Sequence, residues 1–149
     1  MIALQPHVRE FLAHGTRTGK LGFVAVDGRA LVAPVWFVVE RDEIVFTTGA
    51  TTAKGRAIAR DPRLVLCVDL EVPPYAFVQV QGVAEVSEEP AELRRVATAI
   101  GGRYMGAERA GEFGRRNAVA ARDYAQKVGA MAEGWGADAE RGVPSNDQS

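Results

Sequence analysis

Between residues 20 and 86 the apolar residues fall into short β-rich runs separated by turn residues, the pattern of a sheet rather than of long helices. Leu21–Val26 is one such run, Asp27-Gly28 follows, and Ala30–Val39 is the next. Asp-Gly between two β-rich runs predicts a hairpin with a type I′ turn, which needs φ > 0 at both central residues. Ala30–Val39 is apolar on both alternations, through Leu31, Val32, Val35, Phe37, Val38 and Val39, which predicts a strand covered on both sides. Pro34 has no N–H to give to a ladder, so it marks an edge, a bulge or a strand break, and a bulge would turn backbone groups toward a cleft beside Trp36. Arg41-Asp42 makes a tight connection to a third strand, Glu43–Thr48, completing a meander that indicates an antiparallel sheet. Leu64–Asp69 reads as the fourth strand. Glu71-Val72-Pro73-Pro74 is a stiff connection to the fifth, Tyr75–Val86, in which Gly82 suggests a bulge or a close backbone approach.

Helical spacing appears at the margins of this pattern. Val8, Phe11 and Leu12 suit a short helix over Gln5–His14. Glu88-Glu89-Pro90 opens a helix running to about Tyr104, with Leu93, Val96, Ala97 and Ile100 on one face and Gly101-Gly102 weakening its end. Glu108–Arg116 is a polar helical segment, and Ala118–Ala139 reads as helix or irregular arm. Five or six largely antiparallel strands with short helices between them predict a small closed or partly open barrel, since closure removes exposed sheet edges. The expected organisation is one domain over 1–139 and a disordered tail over 140–149.

Composition narrows the function classes. Of 149 residues, 25% are charged, the formal net charge is -1, and the two signs are interspersed, so neither a nucleic-acid nor a membrane partner is indicated. No apolar run approaches the ~20 residues of a membrane span, and no leader-like segment opens the chain. The single cysteine, Cys67, lies in an apolar run and reads as a small buried hydrophobe. A cytoplasmic protein is the expectation. His7 and His14 stand without cysteine partners, so no metal site is expected. Nucleophilic hydrolysis lacks a base near a nucleophile, and no Gly-x-Ser-x-Gly elbow is present.

The stretch Ile44–Arg63, IVFTTGATTAKGRAIARDPR, carries the most specific chemistry. A strand enters a small-residue turn, Thr51 or Thr52 caps a short helix, and Asp61-Pro62 ends it. Lys54 and Arg56 stand in the first helical turn, where cations oppose the helix dipole unless an anion is held there. Two readings fit the stretch taken alone: an anion site, or a solvated basic helix. With Trp36, Phe46, Tyr75 and Phe77 lining a barrel beside it, the first suits a flat cofactor with a phosphate tail, although Phe46 taken singly reads as core.

The order GFVAVDGRALVAPVWFVV, IVFTTGATTAKGRAIARDPRLVLCVD, PPYAFVQVQGVAEV and GGRYMG resembles the pyridoxamine 5′-phosphate oxidase-like split β-barrel family of flavin and deazaflavin oxidoreductases, and within it the branch dependent on coenzyme F420. The resemblance covers about Phe11 to Asn117, and its most specific block is AKGRAIARDPR after the TTG turn. It implies a mainly β, six-stranded antiparallel split barrel forming a homodimer, with two cofactor sites at the subunit interface. It places Thr47, Thr48 and Lys54 at the cofactor phosphate with Thr52 and Arg56 close by, and Pro34, Val35 and Trp36 along the ring system. Tyr75 and Phe77 come from the partner chain or line the substrate side. The implied cofactor is F420, with FMN as the alternative, and the implied reaction is hydride transfer to an unsaturated small molecule. An FMN-dependent oxidase or flavin reductase and a non-catalytic flavin- or haem-binding protein are the alternatives. The resemblance names no catalytic side chain. Arg56, Arg60, Arg63, Arg115 and Arg116 are candidates for a groove that takes the acidic tail of the deazaflavin. Two positions depart from the family pattern. Ala57 stands where relatives often have Asn, and Ala118–Asp138 lacks the alternation of the final strand that completes the family's barrel.

Overall fold

A computed structural model describes residues 3–112 and, as a strand, residues 123–133. The elements in order are α1 (Pro6–Ala13), β1 (Gly19–Val24), β2 (Ala30–Val35), β3 (Val38–Glu40), β4 (Glu43–Gly49), α2 (Ala53–Arg60), β5 (Arg63–Asp69), β6 (Phe77–Ser87), α3 (Pro90–Met105) and β7 (Asp123–Glu133). Residues 107–112 are helical as well. The chain is mainly β with short helices. Its strands form one antiparallel sheet in the order β2-β1-β5-β6-β7-β4-β3.

Seven strands stand where six were expected, because Ala30–Val39 divides at Trp36-Phe37. Its first half follows β1, from Gly19↔Val35 to Val24↔Ala30, and its second half follows β4, from Val38↔Val45 to Glu40↔Glu43. Those two neighbours lie far apart in the sheet order, so one straight strand cannot serve both. The halves become the two edges of the sheet, and no ladder joins them among the described residues. The covalent chain through Trp36-Phe37 joins them instead, so the sheet wraps without being hydrogen-bonded shut into a barrel.

The segment that showed no strand pattern holds β7. It pairs with β4 from Glu43↔Gly129 to Gly49↔Asp123 and with β6 from Gln79↔Glu133 to Ser87↔Ala125. A strand flanked on both sides receives its geometry from two ladders of backbone hydrogen bonds, and that context outweighs its Ala- and Gly-rich composition. The expected tail, 140–149, lies outside the described residues.

Three local expectations change for identifiable reasons. At the first hairpin only Gly28 has positive φ (91°), and Ala25 O accepts from Gly28 N at 2.8 Å while Ala25 N donates to Arg29 O at 2.8 Å. The loop is therefore a turn over Ala25–Gly28 with Gly28 as its left-handed residue, not a type I′ turn at Asp27-Gly28. Neither Pro34 nor Gly82 makes a bulge, since register runs unbroken through both. Pro34 is tolerated because β2 is an edge strand.

Most of the core lies inside the wrapped sheet, where Leu21, Phe23, Phe37, Phe46, Leu64, Leu66, Val68, Val78 and Val80 are joined by Val8 and Leu12 from α1 and by Ala57 and Ile58 from α2. A second cluster lies outside β4, where Leu93, Val96 and Ile100 of α3 cover Val45, with Val38, Ala50 and Tyr104 packed against them. Beyond α3 the outer face of β2, β1, β5 and β6 carries Ala30, Val32 and Pro34, then Lys20 and Gly22, then Val65 and Cys67, then Gln79, Gln81 and Val83. The expectation that Ala30–Val39 is covered on both sides fails here, as Val32 is 70% exposed. Cys67 is also on this outer face and half-buried rather than in the core. Burial first, and Asp69 second, push its thiol pKa up, which leaves it a poor nucleophile.

Gly19 is where β1 passes the buried Phe37. A Cβ there would lie 2.6 Å from Leu66 Cδ1 and 3.2 Å from the Phe37 ring, and both side chains are fully packed. Gly19→Ala is expected to cost about 1–3 kcal/mol by overpacking, measured as a lower urea midpoint at unchanged slope. An unchanged midpoint would show that this contact can relax.

Candidate functional site

The strand break frees backbone groups that a continuous strand would have paired, and α3 takes them up. Phe37 N donates to the Tyr104 hydroxyl at 3.4 Å, and Phe37 O accepts from Arg103 Nη1 at 2.7 Å. Tyr104 in turn donates to Arg17 O at 2.8 Å, while Arg103 donates to Leu12 O at 2.7 Å and to Gly15 O at 3.0 Å. Leu12 lies in the last turn of α1, whose carbonyls have no partner within the helix, so a cation is well placed there. Burial works against the Arg103 charge and lowers its pKa, but its donors are engaged by these carbonyls. The Trp36 ring lies against Tyr104, with centroids 4.8 Å apart and planes 2° from parallel, and Trp36 is 42% exposed.

The second part of the site is the turn from β4 into α2. Thr52 N and the Thr52 hydroxyl both donate to Gly49 O, at 3.1 and 2.7 Å, and the same hydroxyl accepts from Gly55 N at 3.0 Å. Thr52 is thus the helix cap, as one of the two sequence candidates, and its hydroxyl is committed to the turn. Arg56 Nη1 donates to Thr51 O at 2.7 Å, so this cation braces the turn too. Lys54 differs from both. It is half-buried, makes no hydrogen bond or ion pair among the described residues, and has its pKa lowered by burial alone. A cation withdrawn from water without a counter-charge is a standing cost that an anion would remove.

β3 pairs with β4 only as far as Val38↔Val45, so among the described residues no ladder ties Trp36 to β4. Side chains alternate along a strand, so Thr47 shares the outer, α3-covered face of β4 with Val45, while Thr48 turns to the core with Ile44 and Phe46 and is 6% exposed. Ala50, just beyond β4, and Tyr104 both pack against the cluster that α3 forms over Val45.

Val35 and Trp36 lie at the strand break, at the end of β2 away from the hairpin, with Pro34 two residues before Trp36, while Thr52, Lys54 and Arg56 lie at the α2 entry that follows Thr47 and the end of β4. Phe77 opens β6, which β1 and β5 separate from β2 in the sheet. Tyr75, held at φ 52° before β6, lies beyond it at the same end. Phe46 is fully buried and belongs to the core, not to the site. Of the cations considered for a tail groove, Arg63 is paired with Asp61 at 2.7 Å, and Arg115 and Arg116 fall outside the described residues. A cavity of about 280 Å³ lies on the hairpin side of α2, lined by Ala25, Val26, Leu31, Ala53, Arg56 and the Asp27–Arg29 pair. Arg103 and Tyr104 are the residues that sequence reasoning passed over. The signal was available in an Arg-Tyr pair at the end of an amphipathic helix, after two glycines that did not stop it.

Comparison with known proteins places the chain in a family. The family model described as pyridoxamine 5′-phosphate oxidase matches residues 4–133. No curated protein matches the chain. Among solved structures, the conserved hypothetical protein Rv2991 from Mycobacterium tuberculosis is 25% identical, with a TM-score of 0.75 over 91% of this chain and 86% of that one. An F420 reductase is 22% identical, with a TM-score of 0.64 over 82% of this chain and 92% of its own. HutZ, the haem storage protein of Vibrio cholerae, is 19% identical, with a TM-score of 0.67 over 87% of this chain and 92% of its own. The last two are alike in fold alone. With seven strands wrapped around a split at Trp36-Phe37 and a family match over most of its length, the chain belongs to the pyridoxamine 5′-phosphate oxidase family, whose members bind flavin-type cofactors.

Proposed function

We propose that this protein is a deazaflavin-dependent oxidoreductase that transfers hydride between coenzyme F420 and an unsaturated small molecule, acting as a homodimer with two cofactor sites at the interface. The observation that carries the cofactor reading is Lys54, a half-buried ammonium without a counter-charge among the described residues, in a chain that also stacks the part-exposed Trp36 on Tyr104. A phosphate on a flat ring system satisfies both parts at once. In this reading Thr47 and Lys54 hold the phosphate, Thr48, Thr52 and Arg56 border it, and Pro34, Val35 and Trp36 lie along the rings. The bound cofactor supplies the hydride, and the chain supplies orientation and shielding from water. The preference for deazaflavin over FMN rests on the block AKGRAIARDPR after the TTG turn.

The homodimer reading is supported by the outer face of β2, β1, β5 and β6. Val32 and Val83 are 70% and 55% exposed there, on a sheet face that α3 leaves open. In this reading the partner's Tyr75 and the partner's Phe77 reach the site or its substrate side.

Titration with FMN and with the deazaflavin, followed by fluorescence, is expected to give tighter binding of the deazaflavin. Lys54→Met is expected to weaken it by about 1.5–3 kcal/mol, the worth of a charge-assisted contact. The same substitution should leave the unliganded protein no less stable at neutral pH. Burial lowers the Lys54 pKa, so the charged form opposes folding below that pKa and the penalty lifts as pH rises through it. Tighter FMN binding would assign the flavin alternative, and binding of neither cofactor would remove the oxidoreductase reading. For the assembly, Val32→Glu should convert a dimer into a monomer in sedimentation. A wild-type chain that sediments as a monomer at all concentrations contradicts the interface.

A further inference from the structure

Two consecutive residues at the end of α3 hold together segments that share no ladder with one another. Arg103 donates to Leu12 O, Gly15 O and Phe37 O, which lie at the end of α1, in the loop before β1 and in the strand break. Its guanidinium also sits 4.6 Å from the centre of the Phe37 ring. Tyr104 bridges Arg17 O and Phe37 N through its hydroxyl and presents its ring flat to Trp36. Trp36 is 42% exposed, so burial alone does not choose its rotamer, whereas a parallel ring at 4.8 Å favours one plane. The helix that carries the pair is anchored separately, by buried Leu93, Val96 and Ile100.

We propose that Arg103 and Tyr104 are positioning residues of the cofactor site: Arg103 fixes the backbone at Phe37, and Tyr104 holds the Trp36 indole in the plane that the cofactor's ring system meets. The proposal rests on the reading that Trp36 lies along that ring system. Holding an exposed aromatic in its bound orientation before the ligand arrives lowers the ordering cost of binding. A purely structural role would show in stability and leave Trp36 and the ligand untouched.

The test uses the full chain with Trp135→Phe, which leaves Trp36 as the single indole of the two in the sequence. Tyr104→Leu keeps much of the volume without the ring, and Tyr104→Phe keeps the ring without the hydroxyl. With Tyr104→Leu, circular dichroism should show a folded protein, acrylamide quenching of Trp36 should rise about twofold, and FMN and deazaflavin affinity should fall about fivefold, the scale of one stacked aromatic pair. Tyr104→Phe should restore both readouts. Arg103→Lys keeps the charge without the fork that reaches three carbonyls, and should move both readouts in the same direction if Tyr104→Leu does not fold. Unchanged quenching and affinity in a folded Tyr104→Leu variant, or in Arg103→Lys if Tyr104→Leu does not fold, overturn the proposal. If the parent binds neither cofactor, the cofactor reading fails on its own, and the quenching comparison still decides whether the pair sets the Trp36 plane.

Discussion

Backbone hydrogen bonding at Trp36-Phe37 is the constraint on which the rest of the structure depends. Every buried N–H and C=O needs a partner, and a strand that leaves one neighbour before joining another strands those groups in between. Here Phe37, fully buried, has its N–H and C=O taken by Tyr104 and Arg103. That substitution lets β2 and β3 part, and their parting leaves the outer edge of β4 open from Phe46 to Gly49, paired only with β7. The split is thus maintained by side chains of a helix that crosses the outside of the sheet, and not by the sheet itself.

The same opening explains the placement of charge. The α2 entry packs where β4 ends, and of its cations Arg56 is committed to Thr51 O while Lys54 is withdrawn from water without recompense from the described residues. Elsewhere the chain pairs its charges: Arg9 with Asp42, Lys20 with Asp69, Arg95 with Glu40. The half-buried Arg103 is met by three carbonyls, whereas the half-buried Lys54 has neither carboxylate nor carbonyl partner among the described residues, and arrangements of that kind concentrate where a ligand completes them. Tyr104, on which Trp36 stacks, and Ala50, which opens the turn after β4, pack against the same apolar cluster under α3.

Local chemistry was legible in the sequence where it is decided locally. The Thr52 cap, the end of α2 at Asp61, the β-rich runs and the face of α3 all follow from nearest-neighbour patterns and stand in the structure. What required tertiary context was not legible. The division of Ala30–Val39 depends on which strands flank each half, and β7 is shaped by two ladders rather than by its own Ala- and Gly-rich sequence. The opposite orientation of Thr47 and Thr48 needed the strand's register, and the role of Arg103 and Tyr104 depends on segments as many as 91 residues away.

We propose that Trp36, at the split in the sheet, and Lys54, at the α2 entry, hold one cofactor between them. A crystal structure of the protein with the proposed deazaflavin bound tests this most directly. The account predicts the cofactor phosphate within ion-pair distance of Lys54 Nζ, on the Thr47 side of β4, with the ring system at the strand break beside Trp36. A cofactor phosphate bound away from Lys54, or a ring system on a part of the sheet remote from Trp36-Phe37, would contradict it.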